Sequence, residues 1–310
     1  NELGDMLITP NGTVCSIVNH TIDNNSDLFK SLVSNFFISE ERIPPLLNIY
    51  ATRLKEKKRY LEDFTALHIF VLTLRCNQNC IYCQASSRDE KALKCSMSKE
   101  DMERAVRLMF KSRSKFLTME FQGGEPSLLP NIIEYGAALA TEINKEENRE
   151  LTFVLCTNSI RLTDEMLEIC KRYNITISTS LDGPAFLHNH NRGKANSYQQ
   201  VVAGIEKARK VLGRDAVSAL MTTSIEALDY PEQIVDTYVE NGFNSLFFRA
   251  LNPYGLALKT ENWEDYTERF ITFYKCGFEH IIEINKRGTF FVEEFAAIIL
   301  RKMLTPFCTG

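Results

Sequence analysis

From about residue 67 onward, short apolar runs of strand length alternate with longer segments in which apolar residues recur at helical spacing. This alternation predicts repeated βα units whose strands are parallel. The six predicted strands lie at residues 67–74, 116–122, 151–157, 175–181, 216–223 and 245–251. Right-handed crossovers would wind the units into a closed or partly closed barrel, and the carboxyl ends of the strands would form its working face.

The segments between the strands carry helix start signals. Ser98 precedes an amphipathic segment and has Asp101 three residues on, and Thr163 stands in the same position before residues 164–173. A hydroxyl side chain at this position caps free backbone N–H groups of the first helical turn. Further helices are predicted at residues 131–145, 198–212, 231–241, 262–286 and 292–304.

Residues 1–66 lack this alternation. The apolar and polar residues around Asn11-Gly12 predict a β-hairpin that turns at this dipeptide. Two helices are predicted after it, at residues 27–37 and 45–60. We therefore expect a small N-terminal α+β appendage in front of a barrel that extends over residues 67–304.

Composition describes an ordinary globular protein, because 44% of the 310 residues are hydrophobic and 25% are charged. The 36 Lys and Arg residues against 40 Asp and Glu residues give a net charge of -4, which argues against a nucleic-acid or membrane partner. No apolar run approaches the roughly 20 residues that span a bilayer, and no secretory signal is recognisable. We expect a soluble, cytoplasmic protein.

Nine cysteines form an odd set that fits reduced thiols better than paired disulfides. Four of them stand in apolar or helical contexts and are predicted to be small buried side chains: Cys15, Cys156, Cys170 and Cys276.

Three other cysteines are clustered at CxxxCxxC spacing, directly after the first predicted strand. Cys76, Cys80 and Cys83 can converge on one metal centre, yet they leave a tetrahedral zinc or a four-iron cluster one ligand short. A structural zinc site completed by His68 or Cys95 is the alternative. Such sites usually pair two CxxC knuckles, and the chain has no second knuckle.

The second predicted strand ends in Gln122-Gly123-Gly124-Glu125-Pro126. Two glycines allow the backbone to approach a ligand closely, a carboxylate follows, and the proline stops the strand. The pattern alone is also typical of an ordinary turn, and it gains weight from the cysteine loop beside it.

The fourth predicted strand ends in SLDGP at residues 180–184, and a loop with His188, His190 and Arg192 is predicted after it. Taken alone, histidines in such a loop face solvent more often than they bind a ligand. Asn158, at the end of the third strand, is a further candidate, with a helix-capping or turn role as its alternative.

Together, the cysteine loop and the Gly-Gly-Glu-Pro motif resemble the radical S-adenosylmethionine (radical SAM) superfamily over about residues 67–304. The six βα units match that family's partial (β/α)6 TIM-like barrel. The resemblance implies that Cys76, Cys80 and Cys83 hold one [4Fe-4S] cluster, whose fourth iron binds S-adenosylmethionine. Reductive cleavage of this cofactor then yields a 5′-deoxyadenosyl radical that abstracts hydrogen from a substrate.

The resemblance also implies a set of cofactor-binding residues. Tyr82 would pack near the adenine, residues 123–125 would receive the methionine amino group, and Ser180 would reach the ribose or the carboxylate. The full set is Tyr82, Gln122, Gly123, Gly124, Glu125, Asn158, Ser180, Asp182 and Arg192. No catalytic acid or base is predicted, although Arg249, Tyr254 and Glu294 are candidates for the lumen.

More narrowly, SLDGP followed by a His-rich segment and an arginine resembles radical SAM maturases of peptides and proteins, including anaerobic sulfatase maturases. The strings TLRC, EFQGGEP, SALMTT and LNPYG add a resemblance to maturases of His-Xaa-Ser repeat peptide systems. This implies an enzyme that modifies, by cross-linking, a ribosomally made precursor peptide and receives electrons from a donor such as flavodoxin or ferredoxin.

Two alternatives stay open. One is a radical SAM enzyme that acts on a small molecule or RNA, and the other is a non-catalytic, zinc-stabilised binding protein. The N-terminal region is a candidate grip on the peptide by strand addition, or a domain that only packs over the barrel. Many relatives carry a C-terminal extension with auxiliary clusters. Residues 305–310 are predicted to begin one, but only Cys308 would support such a cluster.

Overall fold

The computed structural model describes residues 1, 3–39, 44–63, 65–259 and 263–304. They form two compact units. One consists of Asn1–Glu62 together with the chain from Ala296 onward, and the other of Asp63–Phe295. The predicted extension with Cys308 lies outside the described residues.

A five-stranded parallel sheet is the centre of the larger unit, with strand order β1-β4-β5-β6-β7. Two parallel two-stranded pairs accompany it, β2 with β3 and β8 with β9. In chain order the strands are β1 (Leu67–Thr73), β2 (Arg75–Cys76), β3 (Arg88–Asp89), β4 (Phe116–Gly123), β5 (Glu150–Thr157), β6 (Ile175–Ser180), β7 (Val217–Leu220), β8 (Ser245–Leu246) and β9 (Val292–Glu293).

Helices alternate with the strands of the sheet, so the predicted α/β barrel with parallel strands is confirmed. In chain order they are α1 (Thr13–Val18), α2 (Asp27–Ser34), α3 (Pro44–Lys57), α4 (Lys99–Met109), α5 (Pro130–Glu147), α6 (Asp164–Tyr173), α7 (Ala185–Arg192), α8 (Ser197–Leu212), α9 (Pro231–Glu240), α10 (Trp263–Lys286) and α11 (Glu294–Leu304). None of the helices in the described ranges is long and apolar enough to cross a membrane.

Both predicted helix caps are confirmed. The Ser98 hydroxyl accepts a hydrogen bond from the Asp101 N–H at 3.0 Å, and the Asp101 carboxylate accepts one from the Ser98 N–H at 3.3 Å. Thr163 accepts from the Met166 N–H at 3.1 Å at the start of α6. These bonds fix where two crossover helices begin.

The strand residues alternate between a helix-covered face and a face that lines the barrel interior. In β4, Met119 and Phe121 are fully buried, and Met119 packs against Gly136 of α5. Glu120 lies between these two residues and Gln122 follows Phe121. Both are half-buried and line the interior cavity. Each buried apolar side chain contributes about 1.5–3 kcal/mol, so the helix-covered face stabilises the sheet and leaves the interior face free for polar groups.

The sixth predicted strand, 245–251, is wrong in extent. Only Ser245–Leu246 is a strand, and it pairs with β9 rather than with the main sheet. A single parallel bridge, Thr223 to Ala250, links the rest of the segment to the chain beyond β7. Side chains satisfy the backbone donors that a ladder would use, since Phe248 N–H donates to Glu293 at 3.2 Å and Leu251 N–H to a tyrosine hydroxyl at 2.7 Å.

The hairpin predicted at Asn11-Gly12 is wrong. Gly12 has a left-handed φ of 86°, which suits a hairpin turn, but it stands at the N-cap of α1. The Ser16 N–H donates to the Gly12 carbonyl at 3.0 Å, so the segment satisfies its backbone locally and needs no partner strand. The described part of residues 1–62 contains helices and no strand, so this part is helical rather than α+β and contains no hairpin for strand addition.

The loop predicted after SLDGP is also wrong, because Ala185–Arg192 forms helix α7. The glycine and proline that precede it act as a turn into the helix, and Gly193 ends it with a left-handed φ of 66°. The helix buries His188 and Arg192 rather than exposing them.

Candidate active site

The cysteine loop opens on a cavity at the carboxyl edge of the sheet. Cys76, Cys80 and Cys83 are free thiols that line this cavity, whose volume is about 750 Å³. The interior face of the sheet continues the wall with polar or small side chains: Glu120, Gln122, Val154, Cys156, Thr176, Ser178, Ser180 and Ser218. The predicted location of the site is therefore where the structure has its cavity.

Two segments far along the chain hold the loop by backbone hydrogen bonds. The Ile81 N–H donates to the Asn191 carbonyl of α7 at 3.0 Å, and the Leu256 N–H donates to the Cys83 carbonyl at 2.9 Å. Gly255 has φ 60°, and a Cβ there would lie 2.3 Å from the Cys83 carbonyl oxygen. The LNPYG segment can therefore approach the third cysteine only because it carries glycine.

The Gly-Gly motif packs against the end of β1. Gly123 has φ 140°, and a Cβ there would lie 2.2 Å from the Thr73 carbonyl oxygen. The Gly124 N–H donates to the same oxygen at 2.7 Å, and the Glu125 N–H donates to the Arg75 carbonyl at 2.8 Å. Both glycines also line the cavity. Their close approach is thus to the chain's own backbone as it enters the cysteine loop, with the cavity on the other side.

The Glu125 carboxylate is completely buried and does not line the cavity. It accepts hydrogen bonds from the Thr157 hydroxyl at 2.6 Å, the Ser127 N–H at 3.1 Å and the Asn158 N–H at 2.8 Å. Burial raises the pKa of this carboxyl, and the hydrogen bonds oppose the rise. Glu125 therefore ties the end of β4 to the end of β5, and its contact with the amino group of the cofactor stays a prediction.

Asn158 lies between the cysteine loop and the cavity. Its side-chain N–H donates to Asn77 Oδ1 at 2.7 Å and lies 4.0 Å from Cys76 Sγ. Burial raises the pKa of the Cys76 thiol to about 12. A metal must therefore displace the proton of this thiol when it binds, because the thiolate is the ligand form.

Tyr82, Asp182 and Arg192 form one buried network. The Tyr82 hydroxyl donates to Asp182 Oδ2 at 2.6 Å, and Arg192 donates to both carboxylate oxygens at 2.8 Å from Nε and Nη2. Burial alone would raise the pKa of Asp182, but the Arg192 guanidinium holds it below its usual range. Arg192 Nη1 donates to Cys80 Sγ at 3.6 Å, so the network ends on a predicted metal ligand.

His188 joins the same wall from inside α7. The Asp182 N–H donates to His188 Nδ1 at 3.2 Å, so Nε2 carries the ring proton and donates to Ser197 Oγ at 3.1 Å. Gln78 of the cysteine loop donates to the same hydroxyl at 2.6 Å. Burial lowers the pKa of His188 to about 4, so the ring is neutral and structural rather than a solvent-facing loop residue.

The structure brings most of the predicted site residues to one cavity. Those that line it are Tyr82, Gln122, Gly123, Gly124, Asn158, Ser180 and Arg192, with the three cysteines. Glu125 and Asp182 stand behind the wall and hold lining residues in place. Of the lumen candidates, Arg249 lines the cavity, whereas Tyr254 and Glu294 are exposed elsewhere.

Sequence reasoning missed several lining residues, and two of them contact each other. Glu120 and Cys156 face the interior from neighbouring strands, and the Cys156 thiol donates to Glu120 Oε1 at 3.3 Å. Because side chains alternate between the two faces of a strand, Glu120, two residues before the predicted Gln122, would be expected on the same face. Of the cysteines predicted to be buried, only Cys170 is buried, whereas Cys15 and Cys276 are exposed.

The donor set fits a group with several metal atoms. Soft thiolates are the ligands of iron–sulfur clusters, and the three thiols are close enough to perturb one another electrostatically. In the part of the chain that the structure describes, no three His, Cys, Asp or Glu side chains converge closely enough for a single ion. Each thiolate of a cluster binds a different iron, so its ligands stand farther apart than those of one zinc.

Fold and site therefore define an α/β barrel with three free cysteines gathered at a cavity on the carboxyl edge of its sheet. The sequence profile of the Radical SAM superfamily matches residues 70–244, and the chain belongs to this superfamily. Members use a [4Fe-4S] cluster and S-adenosylmethionine, and these are the cofactors of this radical SAM enzyme.

One relative is an uncharacterised protein of Methanothermobacter thermautotrophicus. It is 30% identical over 224 residues, which are 71% of this chain and 82% of the relative.

Two solved structures share the fold. The structure of anSMEcpe with AdoMet and the Cp18Cys peptide has a TM-score of 0.64 at 21% identity, over 79% of this chain and 67% of that chain. The structure of Streptococcus suis SuiB with its precursor peptide SuiA has a TM-score of 0.54 at 16% identity, over 90% of this chain and 60% of that chain.

Proposed function

We propose that this radical SAM enzyme is a peptide maturase that cross-links a ribosomally made precursor peptide. The observation that carries the proposal is the cavity itself, which has a volume of about 750 Å³ and is lined by hydroxyl, amide and carboxylate groups beside the cysteine loop. Such a lining can bond the backbone and polar side chains of an extended peptide. The peptide complexes of anSMEcpe and SuiB, which share the fold, support the same substrate class.

In this proposal Cys76, Cys80 and Cys83 would hold the cluster at the cavity that receives S-adenosylmethionine. The bound cluster would supply the electron for reductive cleavage of the sulfonium, which is the source of the hydrogen-abstracting radical. An electron donor such as flavodoxin or ferredoxin provides that electron.

The cofactor-binding roles belong to the lining residues. Gly123 and Gly124 expose backbone on the cavity side, and Ser180 presents a hydroxyl from the end of β6. Tyr82 is buried and keeps its hydroxyl on Asp182, so the face of its ring rather than its polar end is available to an adenine. Asn158 holds the first turn of the cysteine loop through Asn77.

Cross-linking removes a hydrogen atom from one residue of the peptide, and a proton with an electron from another. The adenosyl radical takes a hydrogen atom from one residue of the peptide, and the carbon radical bonds to a second residue. That second residue loses a proton and an electron, and the electron passes to an acceptor such as the oxidised cluster. The product is two hydrogen atoms lighter than the peptide.

The test uses the anaerobically reconstituted full chain with S-adenosylmethionine, a one-electron reductant and candidate precursor peptides that carry His-Xaa-Ser repeats. We expect release of 5′-deoxyadenosine that increases with peptide, and a peptide product that has lost two hydrogen atoms by mass spectrometry. The Cys80→Ser variant is the matched control and should give neither. Turnover that depends on a small molecule or RNA, with the peptide unchanged, would refute the maturase assignment.

A further inference from the structure

The arginine in the wall of the cavity is an unusual residue to bury. Arg192 has a side chain that is 9% exposed, and the Asp182 side chain that pairs with it is 0% exposed. Burying an ion pair costs several kcal/mol per ion unless geometry and further hydrogen bonds compensate. Here the geometry is complete, because Nε and Nη2 occupy both carboxylate oxygens.

This arrangement leaves one arm of the guanidinium for another partner. Nη1 points to Cys80 Sγ at 3.6 Å. Its direction is fixed, since the guanidinium is planar and two of its nitrogens are already held by the carboxylate. The guanidinium also lies 5.4 Å from the centre of the Tyr82 ring, and Tyr82 itself donates to the carboxylate.

Asp182 is in turn fixed from the backbone side. The Thr222 N–H donates to Asp182 Oδ1 at 3.3 Å, and the Asp182 N–H is held by His188. Hydrogen bonds with α7 and with the segment after β7 therefore fix Asp182 at the end of β6. Asp182 in turn holds the guanidinium so that its Nη1–H points to Cys80 Sγ. A lysine at position 192 would present a single point charge and could not reach both partners in this way.

We infer that Arg192 is a positioning residue that donates a charge-assisted hydrogen bond to the Cys80 thiolate and thereby makes the cluster easier to reduce. Hydrogen bonds to the sulfurs and nearby net charge are two of the quantities that set the potential of an iron–sulfur cluster. A donor beside a ligand sulfur stabilises the more negative, reduced state. The cluster accepts one electron from the low-potential donor, and no bond in the protein changes.

The inference changes the role predicted for Arg192 from contact with S-adenosylmethionine to action through a cluster ligand. It rests on the superfamily's cluster and not on the peptide assignment. Its test uses neither S-adenosylmethionine nor peptide, so failure of the proposed function would leave it standing, and the reverse is also true.

The experiment is a potentiometric titration of the anaerobically reconstituted full chain, with the reduced cluster measured by electron paramagnetic resonance. We expect Arg192→Gln to lower the midpoint potential by about 59 mV, which is a tenfold change in the ratio of oxidised to reduced cluster for a one-electron couple. Arg192→Lys should fall between this variant and the wild type. Asp182→Asn should raise the potential, because it removes a buried negative charge.

The matched control is Arg172→Gln, which makes the same charge change at an exposed arginine paired with Glu134. It should leave the potential unchanged. Iron and sulfide content show whether each variant assembles its cluster, and if Arg192→Gln does not, Arg192→Lys and Asp182→Asn carry the test. An unchanged potential in the Arg192 variants, or shifts of equal sign in the Arg192 and Asp182 variants, would overturn the inference.

Discussion

At the residue scale, the site depends on a few side chains whose surroundings decide their chemistry. The three cysteines share a loop. Within the part of the chain that the structure describes, only Cys80 among them receives a hydrogen bond from a buried arginine. Glu125 carries a carboxylate that the protein's own donors occupy, while Glu120 carries one that lines the cavity. The same residue type therefore has a positioning role in one place and is open to a ligand in the other.

The first prediction concerns the cluster ligands. Replacing Cys76, Cys80 or Cys83 singly with serine should abolish the cluster, because a hydroxyl is a poor ligand for iron compared with a thiolate. The measurement is iron content with visible absorbance after anaerobic reconstitution. Cys276→Ser, at an exposed cysteine, is the control and should retain the cluster. A stable four-iron cluster in Cys83→Ser would contradict the ligand assignment.

The second prediction concerns Gly123. Alanine there would strain a φ of 140° and place a Cβ 2.2 Å from the Thr73 carbonyl oxygen, so β1 and the cysteine loop would have to shift. We expect Gly123→Ala to lower the free energy of unfolding by about 3 kcal/mol or more.

Gly213→Ala is the control that separates backbone strain from steric collision with a neighbouring strand. Gly213 has φ 91°, and a Cβ at this position would meet no atom within 4 Å, so only the backbone strain of about 1–2 kcal/mol is expected. Equal losses for the two variants in urea unfolding would show that the contact with β1 is unimportant.

At the element scale, α7 makes the end of β6 part of the active site. Its first half supplies His188 to the backbone of Asp182, and its end supplies Arg192 to the carboxylate and to Cys80. The Asn191 carbonyl also receives the Ile81 N–H of the cysteine loop. A helix of eight residues thus connects the end of β6 to the cysteine loop.

The third prediction is a pH dependence from this helix. His188 has a pKa of about 4 when folded, against an ordinary value of 6.5, so the unfolded chain binds the proton more strongly. The stabilisation is complete above about pH 6.5 and is lost as pH falls from 6.5 towards 4, by at most about 3 kcal/mol.

Urea unfolding of the wild type and of His188→Gln at pH 7 and pH 5 measures this effect. The difference in unfolding free energy between the two pH values should be smaller in the variant by about 1–2 kcal/mol. His190→Gln, at the exposed histidine of the same helix, is the control. An identical pH dependence in the wild type and His188→Gln would count against the buried neutral ring.

At the scale of the whole molecule, the sheet gathers polar groups from successive strands at one end. Parallel strands end at the same edge, so the cysteine loop after β1, the glycines at the end of β4 and Asn158 after β5 meet around one cavity. The helix-covered face supplies the core, which leaves the interior face for function. This division allows a cavity of about 750 Å³ inside a stable unit.

The fourth prediction tests that arrangement as a whole. The reconstituted chain with S-adenosylmethionine and a low-potential reductant should form methionine and 5′-deoxyadenosine in equal amounts, because one cleavage yields one of each. Removing iron with a chelator should abolish both products, as measured by liquid chromatography. Methionine without deoxyadenosine would indicate another type of cleavage.

The sequence by itself determined the features that depend on local pattern. The apolar alternation predicted the strands β1, β4, β5 and β6 to within a residue or so, and the caps Ser98 and Thr163 were visible because capping acts over three residues. The cysteine spacing likewise singled out the loop that lines the cavity. A glycine with a left-handed φ is compatible with a hairpin turn and with a helix N-cap. At Gly12 the pattern predicted the hairpin, and the structure has the helix.

Only the tertiary structure decided which distant groups meet. Tyr82 and Asp182 are 100 residues apart, and Arg192 and Cys80 are 112 apart, so no periodicity within a strand or helix relates them. The same holds for the hydrogen bonds that Glu125 accepts from Thr157 and Asn158, which lie 32 and 33 residues further along the chain. Burial and long-range hydrogen bonding depend on how the strands are ordered in space, which is why the network behind the cavity could be recognised only once the chain was folded.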